Sequence, residues 1–237
     1  ARDSFSFAFG SCFRPIDLES GKAFGSMDIY REKHGLDFGL FLGDQIYADN
    51  YMHNGLGKVA LNLEDYRAVY AYVWSQPSIR KLLKNLPVFM MMDDHEVDDD
   101  WAWTDVSRTK AKIPVWNKLI RWRHGCSPEE WHLPVSRVKD ALRAYWEHQG
   151  MHAPQFEIPL HVNKTGTYTL QKGDPGSLAY TFEYGAAAFF VLDTRTMRVK
   201  GKNQRIMLGK GQWEALKDWL LKVNEHYKFI FLYSYGS

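Results

Sequence analysis

Four short apolar runs in this chain each end at a glycine or at a residue with a metal-type donor. Phe5, Phe7 and Phe9 alternate with Ser6 and Ala8 and give way to Gly10-Ser11-Cys12. Asp37 to Leu42 is stopped by Gly43-Asp44, Pro87 to Met92 by Asp93-Asp94, and Ala187 to Leu192 by Asp193. Runs of this length read as strands, and the continuous run from Pro87 to Met92 as a buried one. Between them lie segments with helical spacing: Met27 to His34, Glu64 to Trp74, Ser78 to Leu86, Val115 to His124, Val135 to Gln149 and Gly211 to His226. In the last of these, Trp213, Leu216, Trp219, Leu220 and Val223 share one face. Strands alternating with helices place the chain in the α/β class. Ala179 to Tyr184 and Ala187 to Leu192, joined at Gly185, form a hairpin, so the pairing is mixed. Lys228 to Tyr233 is a final strand, and residues 150–177 read as loop with short strand pieces.

Composition narrows the class further. The 237 residues suffice for one domain with a sizeable core, taken here as 1–237. No window of 18 consecutive apolar residues exists, so a membrane-spanning helix is excluded. No basic-then-apolar leader opens the sequence, so no signal peptide is read there. Thirty Lys+Arg against 28 Asp+Glu leave a net charge of +2, too balanced to point to nucleic acid, and no nucleic-acid-binding domain is evident. Cys12 and Cys126 make at most one bridge or two free thiols, which leaves the redox compartment open. The nine Trp and thirteen Tyr are explained by packing at least as well as by a carbohydrate platform.

The junctions carry the chemistry. Ligands of α/β sheets gather at the carboxyl ends of the strands. If the runs pair in parallel, Cys12, Asp44 with Tyr47, Asp93-Asp94-His95-Glu96 and Asp193 converge on one edge. A thiolate, a phenolate, carboxylates and an imidazole together are the mixed donor set of a multi-metal site. Each residue also has a plainer reading. Cys12 could be a small buried hydrophobe, Asp44 a turn or cap residue, Tyr47 a core residue, and Asp193 a structural partner of Arg195. Asp-Asp-His-Glu resists the plainer reading, because three acids in four positions repel unless a cation or a hydrogen-bond network compensates. Asp98-Asp99-Asp100 divide between solvated acids and a further ligand.

In this order, Gly10-Ser11-Cys12, Gly43-Asp44-Gln45-Ile46-Tyr47, Asp93-Asp94-His95-Glu96, Leu192-Asp193-Thr194-Arg195 and Gly211-Gln212-Trp213 resemble the PhoD-like metallophosphatases. These are the alkaline phosphatase D group of the calcineurin-like metallophosphoesterases, and the resemblance runs from residue 5 to about 233. It implies a mixed-sheet αββα sandwich and a metal-dependent phosphoric ester hydrolase, a phosphomonoesterase or phosphodiesterase using metal-activated water. It implies Fe(III) bound by Cys12 and Tyr47, and Asp44 bridging to a second metal, Ca(II) or another divalent ion. Asp94 would contact that second metal and the substrate phosphate, and His95 would stand near the leaving group. Thiolate and phenolate suit a trivalent ion and carboxylates suit calcium. The resemblance also implies export to the periplasm, cell surface or medium. Relatives carry further ligands in a Gly-Asp-x-His-like motif after the last strand. This sequence stops at Ser237 without it, so the domain is expected to be incomplete at its C-terminus. The alternative is a non-catalytic fragment or descendant that keeps the fold and binds metal or phosphate without turnover.

Overall fold

The computed structural model describes residues 4–15, 21–102, 133–153, 160–162, 168–170, 176–200 and 205–234. Two three-stranded sheets form its centre. In the first, β1 (Phe7–Gly10), β2 (Phe38–Leu42) and β3 (Val88–Met91) lie side by side in chain order, all parallel. In the second, β7 (Ala187–Val191) lies between β6 (Tyr180–Tyr184), its antiparallel hairpin partner, and β10 (Phe229–Tyr233), which runs parallel to it. Two short antiparallel ribbons pair β4 (Leu160–Val162) with β5 (Tyr168–Leu170), and β8 (Val199–Lys200) with β9 (Arg205–Ile206).

Period-two alternation explains why the sheets meet. On β2, Phe38 and Leu40 join Ala187 and Phe189 of β7 in one cluster, while Phe41 belongs to the larger cluster on the other face. The interface is a strand-by-strand match of phenylalanines. Phe7 of β1 meets Phe231 of β10 at 5.8 Å between ring centroids, Phe38 meets Phe189 at 5.6 Å, and Phe89 of β3 stacks on Phe182 of β6 at 3.7 Å. Buried rings contribute both area and edge or stacking geometry.

Helices cover the outer faces. Helix α2 (Leu63–Trp74) starts where Asn62 accepts a hydrogen bond from the Asp65 amide at 3.0 Å, and it buries Tyr66, Val69, Tyr70 and Val73. Helix α3 (Pro77–Asn85) takes its proline at the first position, where no amide is needed. With α1 (Lys22–His34) and α4 (Val135–His148) they lie on the first sheet's outer side, burying Phe24, Ile79, Leu82, Val138 and Leu142 in the larger cluster. Helix α5 (Gly209–Val223) covers the second sheet, where Trp219 packs edge-on against Phe190 at 5.3 Å.

Among the described residues the expected strands and helices are present, with ends shifted by at most five residues. Helix α1 begins five residues earlier than its spacing suggests, at Lys22, because the helix runs through Gly25. The face expected on the last helix needs correction. Trp213 is 51% exposed, and Gln212 turns inward instead, on the stripe with Leu216 and Val223. The hairpin of β8 and β9 is an addition. The helix expected at 115–124 and Cys126 lie outside the described residues. Among the described residues no helix is long and apolar enough to cross a membrane.

Candidate metal centre

The three parallel strands of the first sheet deliver their carboxyl ends to one edge, and backbone hydrogen bonds tie the following loops together. The Gly43 amide donates to the Met91 carbonyl at 2.6 Å, Cys12 N–H to the Gly43 carbonyl at 3.2 Å, and Phe13 N–H to the Asp44 carbonyl at 2.8 Å. Gly43 is needed at this crossing. Its φ is +72°, and a Cβ there would lie 2.3 Å from Asp93 Cβ and 2.6 Å from Asp93 N.

Asp44 is the centre of the arrangement. Cys12 Sγ and Tyr47 Oη each donate to Asp44 Oδ2, both at 3.3 Å. These contacts are hydrogen bonds, and they bring the three groups close enough together to share an ion bound at about 2.0–2.3 Å from each. Asp44, Asp94 and His95 each bring one ligand atom within 4.8 Å of the others. Cys12, Asp44 and Asp100 are the non-glycine residues with left-handed backbone among those described, at φ of 61°, 54° and 57°. Such conformations cost about 1–3 kcal/mol each and persist where the surroundings impose them. All three lie at this edge, and the amide of Asp100 donates to Asp94 Oδ2.

The sequence expectations sort accordingly. Cys12 is exposed rather than buried in the core, and Tyr47 is buried yet directs its hydroxyl to Asp44. Cys12, Asp44, Tyr47, Asp94 and His95 come together. Asp193 does not join them as a ligand. Its Oδ1 accepts the amides of Arg195 and Thr196, both at 3.0 Å, and its Oδ2 accepts the Leu178 amide at 2.8 Å and the Thr196 hydroxyl. Nor does Asp193 pair with the guanidinium of Arg195. That group is fully buried, bonds Asp93 Oδ1 through Nε, reaches Asp94 Oδ1 at 3.2 Å through Nη2, and donates to the Trp101 carbonyl at 3.3 Å. Glu96 is scaffold: it accepts the amides of Asp44, Gln45 and Asp93 at 3.0, 2.8 and 2.9 Å and the side-chain amide of Gln149 at 3.0 Å. Asp98 is buried against Arg137 Nη2 at 3.0 Å, whereas Asp99 and Asp100 are exposed.

Sequence reasoning passed over Asp49. It is buried, its Oδ1 lies 2.8 Å from His95 Nδ1, and its Oδ2 accepts the Asp99 amide at 2.9 Å. Its place five residues after Asp44, on the loop whose Ala48 amide bonds the His95 carbonyl at 3.0 Å, was the available signal. His95 also lies against the Tyr47 ring at 4.2 Å between centroids. A ring held at Nδ1 presents Nε2 outward as its working atom.

Charge is out of balance here. Burial first, then the charge of Glu96 and the carboxylates of Asp93 and Asp94, push Asp44 up to about 7, with His95 opposing. Burial raises Asp93 to about 6 against the pull of Arg195. Burial, Asp44 and Cys12 hold the Tyr47 phenol well above its ordinary value. Burial opposes the charge on His95, but the hydrogen bond and charge of Asp49, with Asp44 and Asp94, carry it up to about 10. Asp93 Oδ2 is buried with no hydrogen-bond partner among the described residues. Acids gathered this closely are offset by a cation, and the thiol, phenol, carboxylate and imidazole groups around Asp44 are donors able to hold metal ions.

Comparison with known proteins gives a consistent picture. The description "PhoD-like phosphatase" matches residues 7–231. Alkaline phosphatase D of Bacillus subtilis (strain 168) is 30% identical over 249 residues, covering 95% of this chain and 36% of that protein. A solved structure of PhoD superposes with a TM-score of 0.63 at 25% identity, covering 96% of this chain and 41% of that one. A purple acid phosphatase from yellow lupin seeds gives a TM-score of 0.47 at 13% identity, covering 98% of this chain and 30% of that one. That last overlap is too loose to carry an argument. The chain thus spans less than half the length of these relatives.

Proposed function

This chain belongs to the PhoD-like phosphatase family, and from that premise we propose that it is a metal-dependent phosphoric ester hydrolase using Fe(III) and Ca(II). The observation that carries the metal dependence is the convergence of Cys12 Sγ and Tyr47 Oη on one oxygen of Asp44. In this reading Cys12, Tyr47 and Asp44 hold the iron, and Asp44 and Asp94 hold the calcium. The ions, when bound, activate water and neutralise the charge that develops on the phosphoryl oxygens.

The chain's own residues do the rest. Asp94, fixed from both sides by Arg195 and the Asp100 amide, keeps one carboxylate geometry as substrate arrives. His95, oriented by Asp49, offers a proton at Nε2 to the departing alkoxide or aryloxide. Arg195 and Glu96 keep the Asp93–Glu96 loop in place beneath these groups. The test is hydrolysis of an aryl phosphate by protein loaded with Fe(III) and Ca(II). Activity that vanishes on chelation, returns with the metals and is absent from Asp44→Ala supports the reading. Turnover indifferent to chelation contradicts it.

A further inference from the structure

Among the described residues, His95, Arg195 and Arg14 stand where the loops of the first sheet gather, and the first two are already engaged. His95 is held by Asp49, and Arg195 is fully buried against Asp93, Asp94 and the Trp101 carbonyl. Arg14 differs from both. It is exposed, two residues beyond Cys12, and its guanidinium carbon lies over the Tyr47 ring at 5.2 Å from the centroid. No carboxylate among the described residues lies within ion-pair reach of it. The stack on Tyr47 locates the guanidinium without consuming any of its five N–H donors. The segment that carries it is fixed to the loop of Asp44 by the Phe13 N–H bond to the Asp44 carbonyl at 2.8 Å. Tyr47 in turn places its hydroxyl on Asp44 Oδ2 at 3.3 Å. A located, solvent-facing donor fork therefore borders a cluster of acids that would otherwise repel an anionic substrate.

We propose that Arg14 is a substrate-positioning residue that grips a nonbridging phosphoryl oxygen at the mouth of the site and favours dianionic monoesters over monoanionic diesters. The proposal rests on the phosphoric ester reading given above. A guanidinium matches the geometry of phosphate oxygens with two parallel donors, which an ammonium does not. At one distance, Coulomb attraction grows with ligand charge, so a dianion gains more from Arg14 than a monoanion does.

The test uses protein loaded with Fe(III) and Ca(II), with inorganic phosphate as the calorimetric probe and an aryl phosphate and a bis-aryl phosphate as substrates. In Arg14→Ala, phosphate affinity falls and monoester KM rises by about tenfold or more, the loss expected for one hydrogen-bonded charge contact. Monoester kcat stays within about threefold, and diester KM moves less than monoester KM. Arg14→Lys falls between, keeping the charge and losing the fork. Because Arg14 is exposed, both variants should melt with the parent protein, so folding does not confuse the result. Parent turnover with unchanged phosphate affinity and KM in Arg14→Ala overturns the proposal alone, as does an equal loss on both esters. A parent protein that neither binds phosphate nor cleaves either ester overturns it together with the reading it rests on.

Discussion

Gly43 and Asp44 show how single residues set this site. The first crosses so near Asp93 that no side chain fits, and the second holds a left-handed backbone that a side chain ordinarily avoids. The pair delivers the Asp44 carboxylate to the point where Cys12 and Tyr47 meet it. Gly43→Ala is therefore expected to destabilise the fold by about 2–4 kcal/mol, from backbone strain plus the clash with Asp93. A denaturant midpoint unchanged in Gly43→Ala would show that the crossing of Gly43 and Asp93 has room for a side chain after all. Asp49 acts through another residue, holding His95 by Nδ1. Asp49→Asn should lower kcat for an aryl phosphate by about 10–100-fold, with metal content retained. Loss of metal in that variant would make Asp49 a ligand rather than an orienting group.

At the level of elements, the junctions between strand and loop were the legible part. Phe5–Phe9, Asp37–Leu42 and Pro87–Met92 read as strands, and their terminating residues read as one shared edge on the condition of parallel pairing, which the structure supplies. What was not legible depends on contacts between distant segments. Arg195 reads as a neighbour of Asp193, yet its guanidinium crosses to Asp93 and Asp94. Gln212 rather than Trp213 faces inward because its side chain serves the backbone of Asp193, accepting from the amide at 2.8 Å and donating to the carbonyl at 2.7 Å. Hydropathy alone ranks the tryptophan first. A further tie joins α2 to α4, where Arg67 grips Glu147 with two bonds of 2.7 and 2.6 Å and Arg143 adds a third at 3.0 Å. Arg67 above all, then Arg143 against some burial, holds the Glu147 carboxyl down at about 2, below its ordinary 4.5. A carboxyl lowered in the folded state stabilises it above about pH 4.5, and the contribution drains away as pH falls through about 2. Urea midpoints of the parent protein and Glu147→Gln should thus differ at pH 6 and converge toward pH 2. A gap of constant size across that range would exclude this linkage.

The whole molecule is a sandwich whose two sheets meet through matched phenylalanines, and the site lies at the edge where loops from both sheets interlock. Phe189 is central to that interface, touching Phe38, Phe182 and Phe231. Phe189→Ala should cost about 3–5 kcal/mol and loosen the site with the fold, since Arg195 spans the two sheets. The sandwich was readable only through the family resemblance, because no periodicity states which sheet faces which. Visible absorption during Fe(III) titration tests whether Cys12, Asp44 and Tyr47 form one iron site. The expected result is a charge-transfer band that saturates at one iron per chain, shifts or disappears in Cys12→Ser and Tyr47→Phe, and never forms in Asp44→Ala. Iron bound without colour, or a band that survives unchanged in all three variants, would contradict it.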